Sequence, residues 1–153
     1  MRARNKRWFA AILAGIFLAL GCSGAFAASF KSDWNEAIKA PSATNSFAGA
    51  WEGQWKSKAH HCSGPLRCVI TDLGNGSYQA RFHAQFHWFH FTYTAKLVAE
   101  KSDSGTVLKG EADLGWMGGK YKYSGQVTPT TYNSSYASKV ENGTLELARP
   151  QKA

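Results

Sequence analysis

From Tyr78 onward the chain alternates apolar and polar side chains, and that period of two constrains the fold more than any other feature. Tyr78, Ala80, Phe82, Ala84 and Phe86 alternate with Gln79, Arg81, His83 and Gln85. Phe89, Phe91, Tyr93, Ala95 and Leu97 do the same against His90, Thr92, Thr94 and Lys96. Tyr121, Tyr123, Gly125 and Val127 alternate with Lys120, Lys122, Ser124 and Gln126. In a strand successive side chains point to opposite faces, so each run is a strand with one apolar face.

Turn residues separate the runs: Gly74-Asn75-Gly76, Asp103-Ser104-Gly105, Gly118-Gly119, Pro129 and Asn142-Gly143. The pattern predicts eight strands, at about residues 48–56, 66–73, 77–86, 88–99, 106–114, 120–128, 131–138 and 143–149. The expected fold is all-β: a single antiparallel up-and-down barrel, or a strongly curved meander, of about eight strands with a short N-terminal helix. Closure removes the exposed edges that an open meander would present.

The N-terminus has a different grammar. Arg2, Arg4, Lys6 and Arg7 precede an apolar run from Trp8 to Leu20, and small residues follow, ending in Ala25-Phe26-Ala27. A basic region, a short apolar region and an A-x-A site predict a secretory signal peptide over residues 1–27. A competing expectation is lipidation at Cys22, because Leu18-Ala19-Leu20-Gly21-Cys22 resembles a bacterial lipobox, although Ala19 sits where that pattern prefers Leu. Cys22 would then be the route to a membrane.

Of the 18 Lys and Arg residues, 14 lie beyond residue 27, against 10 Asp and Glu. That mild excess is not the dense basic patch of a nucleic-acid binder. Export favours a disulfide between Cys62 and Cys68, with two buried free thiols as the alternative.

Residues 28–46 form a lead-in to the barrel domain of residues 47–150, and 151–153 are a short tail. Asp33 with Glu36 three residues later predicts a helix start there, with Trp34 and Ile38 on one face and Pro41 ending it. Such a helix can plug one end of the barrel.

Gly49-Ala50-Trp51 on the first strand, after a short helix, resembles the G-x-W motif of lipocalins and the wider calycin superfamily. That resemblance implies an arginine near the last strand packing over the tryptophan at the closed end, and Arg149 is the residue so placed. A cation–π contact of this kind contributes about 0.5–2 kcal/mol. The other lipocalin motifs are not evident. The phrases around Trp51-Glu52-Gly53, Gly110 to Trp116 and Asn142 to Glu146 are also similar to small exported bacterial proteins of unassigned role, which implies no chemistry.

The predicted inner face is strongly aromatic. Trp51, Trp55, Tyr121, Tyr123, Tyr132 and Tyr136, with Arg149, are the candidate ligand-binding residues. An eight-stranded barrel is just wide enough to be filled by side chains or to hold one small ligand, and buried phenols need hydrogen-bond partners. No G-x-S-x-G elbow, H-E-x-x-H or phosphate loop is present, and no catalytic residues or cofactor are assigned. His83 and His87 share a strand face but lie about 13 Å apart at strand rise, so no metal site is assigned.

Trp116 and Met117, between Gly115 and Gly118, form a hairpin tip that either covers the barrel mouth or contacts a membrane or partner protein. Arg81, Lys96, Lys120 and Lys122 fall on outer faces, where they keep strands soluble. The expected function is that of an exported, non-catalytic binding protein carrying a small apolar or amphipathic ligand in the barrel. The alternative is an envelope structural or interaction protein acting through its outer surface. A cavity discriminates the two.

Overall fold

The computed structural model describes residues 23–40 and 46–151. The charged and apolar parts of the expected leader, with Cys22, lie outside the described residues. The elements are α1 (Ser23–Lys39), β1 (Gly49–Ser57), β2 (Cys62–Gly74), β3 (Ser77–Phe86), β4 (Phe89–Ser102), β5 (Gly105–Asp113), a 3-10 turn (Gly115–Met117), β6 (Lys120–Val127), β7 (Thr131–Ala137) and β8 (Asn142–Ala148).

The eight strands pair in sequence order and close on themselves, β8 returning to β1 with Trp55 opposite Leu145 and Gly53 opposite Leu147. The expected all-β barrel is therefore the fold. In β6 and β7 inward and outward residues alternate without exception, as the period of two requires.

The strand positions differ from expectation mainly in β2, which begins at Cys62 rather than near residue 66. Cys62–Pro65 pair with Gln54–Ser57 of β1, while the ladder to β3 starts only at Leu66. A stretch with one unpaired side tolerates Pro65, whose missing N–H hides the strand from a propensity reading.

That same strand excludes the expected disulfide. Cys62 and Cys68 are free, and they lie six residues apart on one extended strand. At strand rise their separation is about 20 Å, well beyond the Cα spacing of about 4.4–6.8 Å that a disulfide needs. Cys68 is wholly buried in the core and packs as a small apolar side chain.

The core is the barrel interior. Trp51, Phe82, Leu108 and Tyr132 are wholly buried there, with Leu66, Ile70, Leu97 and Leu145 nearly so. Phe47, from the lead-in, packs against this cluster and on Tyr78 at a ring distance of 6.0 Å.

Helix α1 departs from expectation in start, face and placement. It begins at Ser23, so Asp33 lies inside it rather than at its cap, and the Asp33 carboxylate pairs with Arg81 instead. Ala25, Ala27 and Ala28 favour helix and are consistent with its upstream extension. The buried face is Phe30, Trp34 and Ala37, spaced by four and three, while Ile38 is exposed. This face does not plug the barrel. It lies against the outer side, where Ala50 of β1 and Val69 of β2 interrupt an otherwise polar surface.

Candidate functional site

An up-and-down barrel has two unlike ends, and here the chain closes one of them. The Arg149 guanidinium lies over Trp51, 4.0 Å from its ring centroid. Its Nη1 donates to the Ala48 carbonyl at 2.9 Å, its Nη2 to Ser46 at 2.9 Å and its Nε to Pro129 at 3.2 Å. Trp51 Nε1 in turn donates to the Phe47 carbonyl at 2.9 Å. One side chain thus ties the lead-in to β1 and to the β6–β7 turn. Gly49 makes this contact geometrically available: its φ is 115°, and a Cβ there would sit 2.8 Å from Arg149 Nη1. The glycine, tryptophan and arginine are therefore one device that seals this end of the barrel.

Above the seal the interior becomes aromatic. Phe82, Tyr93 and Tyr123 pack as a mutual trio, with Phe82 at 5.0 and 6.0 Å from the two tyrosines and these 6.5 Å from each other. Tyr123 and Tyr121 both approach Tyr136, at 6.4 and 6.1 Å. Trp55 packs on Phe86 at 5.8 Å and donates from Nε1 to the Gln85 carbonyl at 3.0 Å. Gly64 permits that bridge, because a Cβ there would collide with the Gln85 carbonyl and with Trp55 Nε1. Tyr136 Oη reaches the Lys56 carbonyl at 3.2 Å and the Glu141 carboxylate at 3.1 Å.

Burial raises the phenol pKa of Tyr93, Tyr123, Tyr132 and Tyr136, and Glu141 adds to the effect at Tyr136. These groups remain neutral hydrogen-bond donors and acceptors at physiological pH.

Tyr132 stands apart from the others. It is wholly buried at the Trp51 end, its ring 6.4 Å from the indole, and its hydroxyl makes no well-formed hydrogen bond, the Ser134 hydroxyl being the polar group beside it. The neighbouring Ser134 hydroxyl donates to the Ser135 carbonyl at 3.0 Å. Among the described residues Tyr132 Oη is the buried side-chain polar atom left unsatisfied.

The open end has a breach in its wall. The β4–β5 ladder runs from Lys96 opposite Glu111 to Ser102 opposite Gly105, so Phe89–Ala95 extend past it, paired only to β3. This leaves Phe91 partly exposed although its alternation points inward. Beside Tyr136 an open depression of about 320 Å³, lined by Lys58, Lys122 and Asn142, indents the opposite side of the same end.

The structure thus divides the sequence-predicted residues into two groups. Trp51, Tyr132 and Arg149 lie toward the sealed end; Trp55, Tyr121, Tyr123 and Tyr136 lie toward the open one. Trp116 is exposed rather than folded down as a cover, and the side chain of Met117 lies outside the described residues. Lys96, Lys120 and Lys122 face outward as expected, whereas Arg81 is engaged by α1.

A histidine pair escaped the sequence reading. His83 and His90 stack with ring centroids 5.3 Å apart, and His83 Nε2 lies 3.3 Å from His90 Nδ1. The two are diagonal neighbours across the β3–β4 hairpin, since His83 opposes Thr92 and His90 opposes Gln85. The Phe30 ring covers His83 at 4.9 Å. Burial, then His90 and Arg67, lower the His83 pKa. No cluster of three or more metal-ligating side chains occurs among the described residues.

No protein-family profile matches the chain, and no curated protein matches it. Among solved structures it is similar to Echinococcus granulosus fatty-acid-binding protein 1, at 13% identity over 69% of this chain and 98% of that one, with a TM-score of 0.40.

Proposed function

We propose that this protein is an exported, non-catalytic binding protein that takes a small amphipathic molecule into its barrel from the open end. The observation that carries this reading is the Tyr132 hydroxyl, wholly buried beneath a tyrosine-rich interior, with no well-formed hydrogen bond and only the Ser134 hydroxyl beside it. Leaving such a group unsatisfied costs about 1–3 kcal/mol. A ligand whose polar end accepts from Tyr132, and whose apolar body lies among Phe82, Tyr93 and Tyr123, removes that cost. The breach beside Phe91 supplies the entrance, and the Arg149–Trp51 seal supplies the floor. Shifting of the Tyr93, Tyr123 and Tyr136 rings accommodates the apolar body. Their hydroxyls, held neutral by burial, suit uncharged polar atoms along it.

The second reading is a surface-acting envelope protein, favoured by the density of side chains around Phe82, which already fill the lower interior. Tyr132→Phe separates the two. Titration of the protein with a fluorescent aliphatic probe should show saturable uptake by the native chain and about tenfold weaker uptake by Tyr132→Phe, the equivalent of one lost hydrogen bond at about 1.4 kcal/mol. Absence of uptake by the native chain, with Tyr132→Phe more stable than it, would establish the surface-acting reading.

A further inference from the structure

We infer that the open rim of the barrel docks on an anionic lipid bilayer, so that the barrel mouth meets the membrane face-on. In an up-and-down meander the β1–β2, β3–β4, β5–β6 and β7–β8 turns all fall at one end, and here that is the unsealed end. Three of these four turns project a large apolar side chain into water. Trp88 is 67% exposed, Val140 64% and Trp116 60%. Trp88 sits in a two-residue turn whose other member, His87, adopts φ 52°, a left-handed conformation that a non-glycine residue takes at a cost. That tight turn carries Trp88 to the apex of the hairpin that overruns β5.

Charge selects the partner. Lys58, Lys120 and Lys139, all exposed, stand in or beside the rim turns. The two rim carboxylates are engaged within the protein: Asp113 Oδ1 accepts from the Gly115 N–H at 2.8 Å, and Glu141 Oε1 accepts from Tyr136 at 3.1 Å. Both keep their charge while accepting these bonds, so the three lysines outnumber the rim carboxylates by one. The sealed end offers a different balance, with Asp72, Lys101 and Asp103 near its turns and Leu73 and Val98 as exposed large apolar side chains, neither of them aromatic. The rim's apolar side chains sit on three different turns, with lysines in or beside them. They match the boundary between anionic headgroups and acyl chains, where the amphipathic indole ring is most at home.

This docking goes beyond cargo binding and does not depend on it, since the tips project whether or not the interior is occupied. Where cargo is carried, the geometry delivers an apolar molecule between barrel and bilayer without passage through water.

The test is co-sedimentation of the full chain carrying Cys22→Ser, which removes any acyl anchor at that position, with phosphatidylcholine vesicles containing or lacking phosphatidylglycerol. The expected result is binding that requires phosphatidylglycerol, shifts tryptophan emission to the blue and is quenched by brominated acyl chains. Trp88→Ser with Trp116→Ser should weaken binding by about tenfold or more, and Lys58→Glu with Lys120→Glu and Lys139→Glu should remove the lipid preference. These positions are exposed, so an unchanged melting temperature verifies the fold of each variant. Failure of the parent chain to bind, or equal binding by the tryptophan variant, would overturn the proposal; equal binding would assign the vesicle contact to residues 1–27. Loss of vesicle binding with aliphatic-probe uptake intact would separate this inference from the cargo reading.

Discussion

Arg149 shows how one residue organises an end of the barrel. Its charge is shared among backbone carbonyls at Ser46, Ala48 and Pro129 and the Trp51 face, so the cost of partial burial is offset. Arg149→Met should lower the unfolding free energy by about 2–4 kcal/mol in urea titration, and Arg149→Lys should rescue little, because an ammonium lacks the planar fork. His83 supplies a second residue-scale test. Its pKa is lowered in the folded protein, so the unfolded chain binds a proton first as pH falls. Stability should therefore decline as pH drops below about 6.5, and His83→Gln should flatten that part of the profile in thermal melts taken between pH 7 and 5. The Arg149–Trp51 contact was legible because the resemblance carried by Gly49-Ala50-Trp51 pointed to it. The His83–His90 contact was not, because it depends on the β3–β4 register, and His83 with His87 was the only pair that spacing along one strand could address.

At the scale of elements, the strands and the presence of an N-terminal helix were legible, and the start and seat of that helix were not. Alternation identifies β3, β4 and β6 without reference to anything else, because each has one apolar face. The position of α1 is decided instead by two small apolar residues on the outer wall, Ala50 and Val69, which strand patterning treats as ordinary exceptions. Its docking rests on Phe30 and Trp34, the Arg81–Asp33 ion pair and the Arg67 guanidinium 4.8 Å above the Trp34 ring. Trp34→Ala should cost about 3 kcal/mol in helix docking while leaving the barrel closed. Hydrogen exchange would show this as lost protection in α1 and on the outer wall beneath it, with β5–β8 unchanged. The cysteines misled at this scale because Gly64-Pro65 looks like a loop, yet β2 runs straight through it. After denaturation without reductant, Cys62 and Cys68 should both alkylate as thiols, and a reductant should leave the melting temperature unchanged. Recovery of a peptide linking Cys62 to Cys68 would contradict the strand assignment.

For the whole molecule, the account rests on an asymmetry between two ends of one barrel. The sealed end is built from residues far apart in sequence, and the open end from four hairpin turns and the breach between β4 and β5. The inward aromatic face was readable from alternation, but alternation does not reveal where one strand outruns its neighbour. Phe91 was therefore expected inside, and Trp88 drew no attention. Native mass spectrometry of the protein purified from the cells that make it, compared with the same sample denatured, tests the central claim most directly. The account predicts an added mass that disappears on denaturation and is diminished by Tyr132→Phe. A native protein carrying no added mass, with Tyr132→Phe simply more stable, would show that the interior holds only its own side chains.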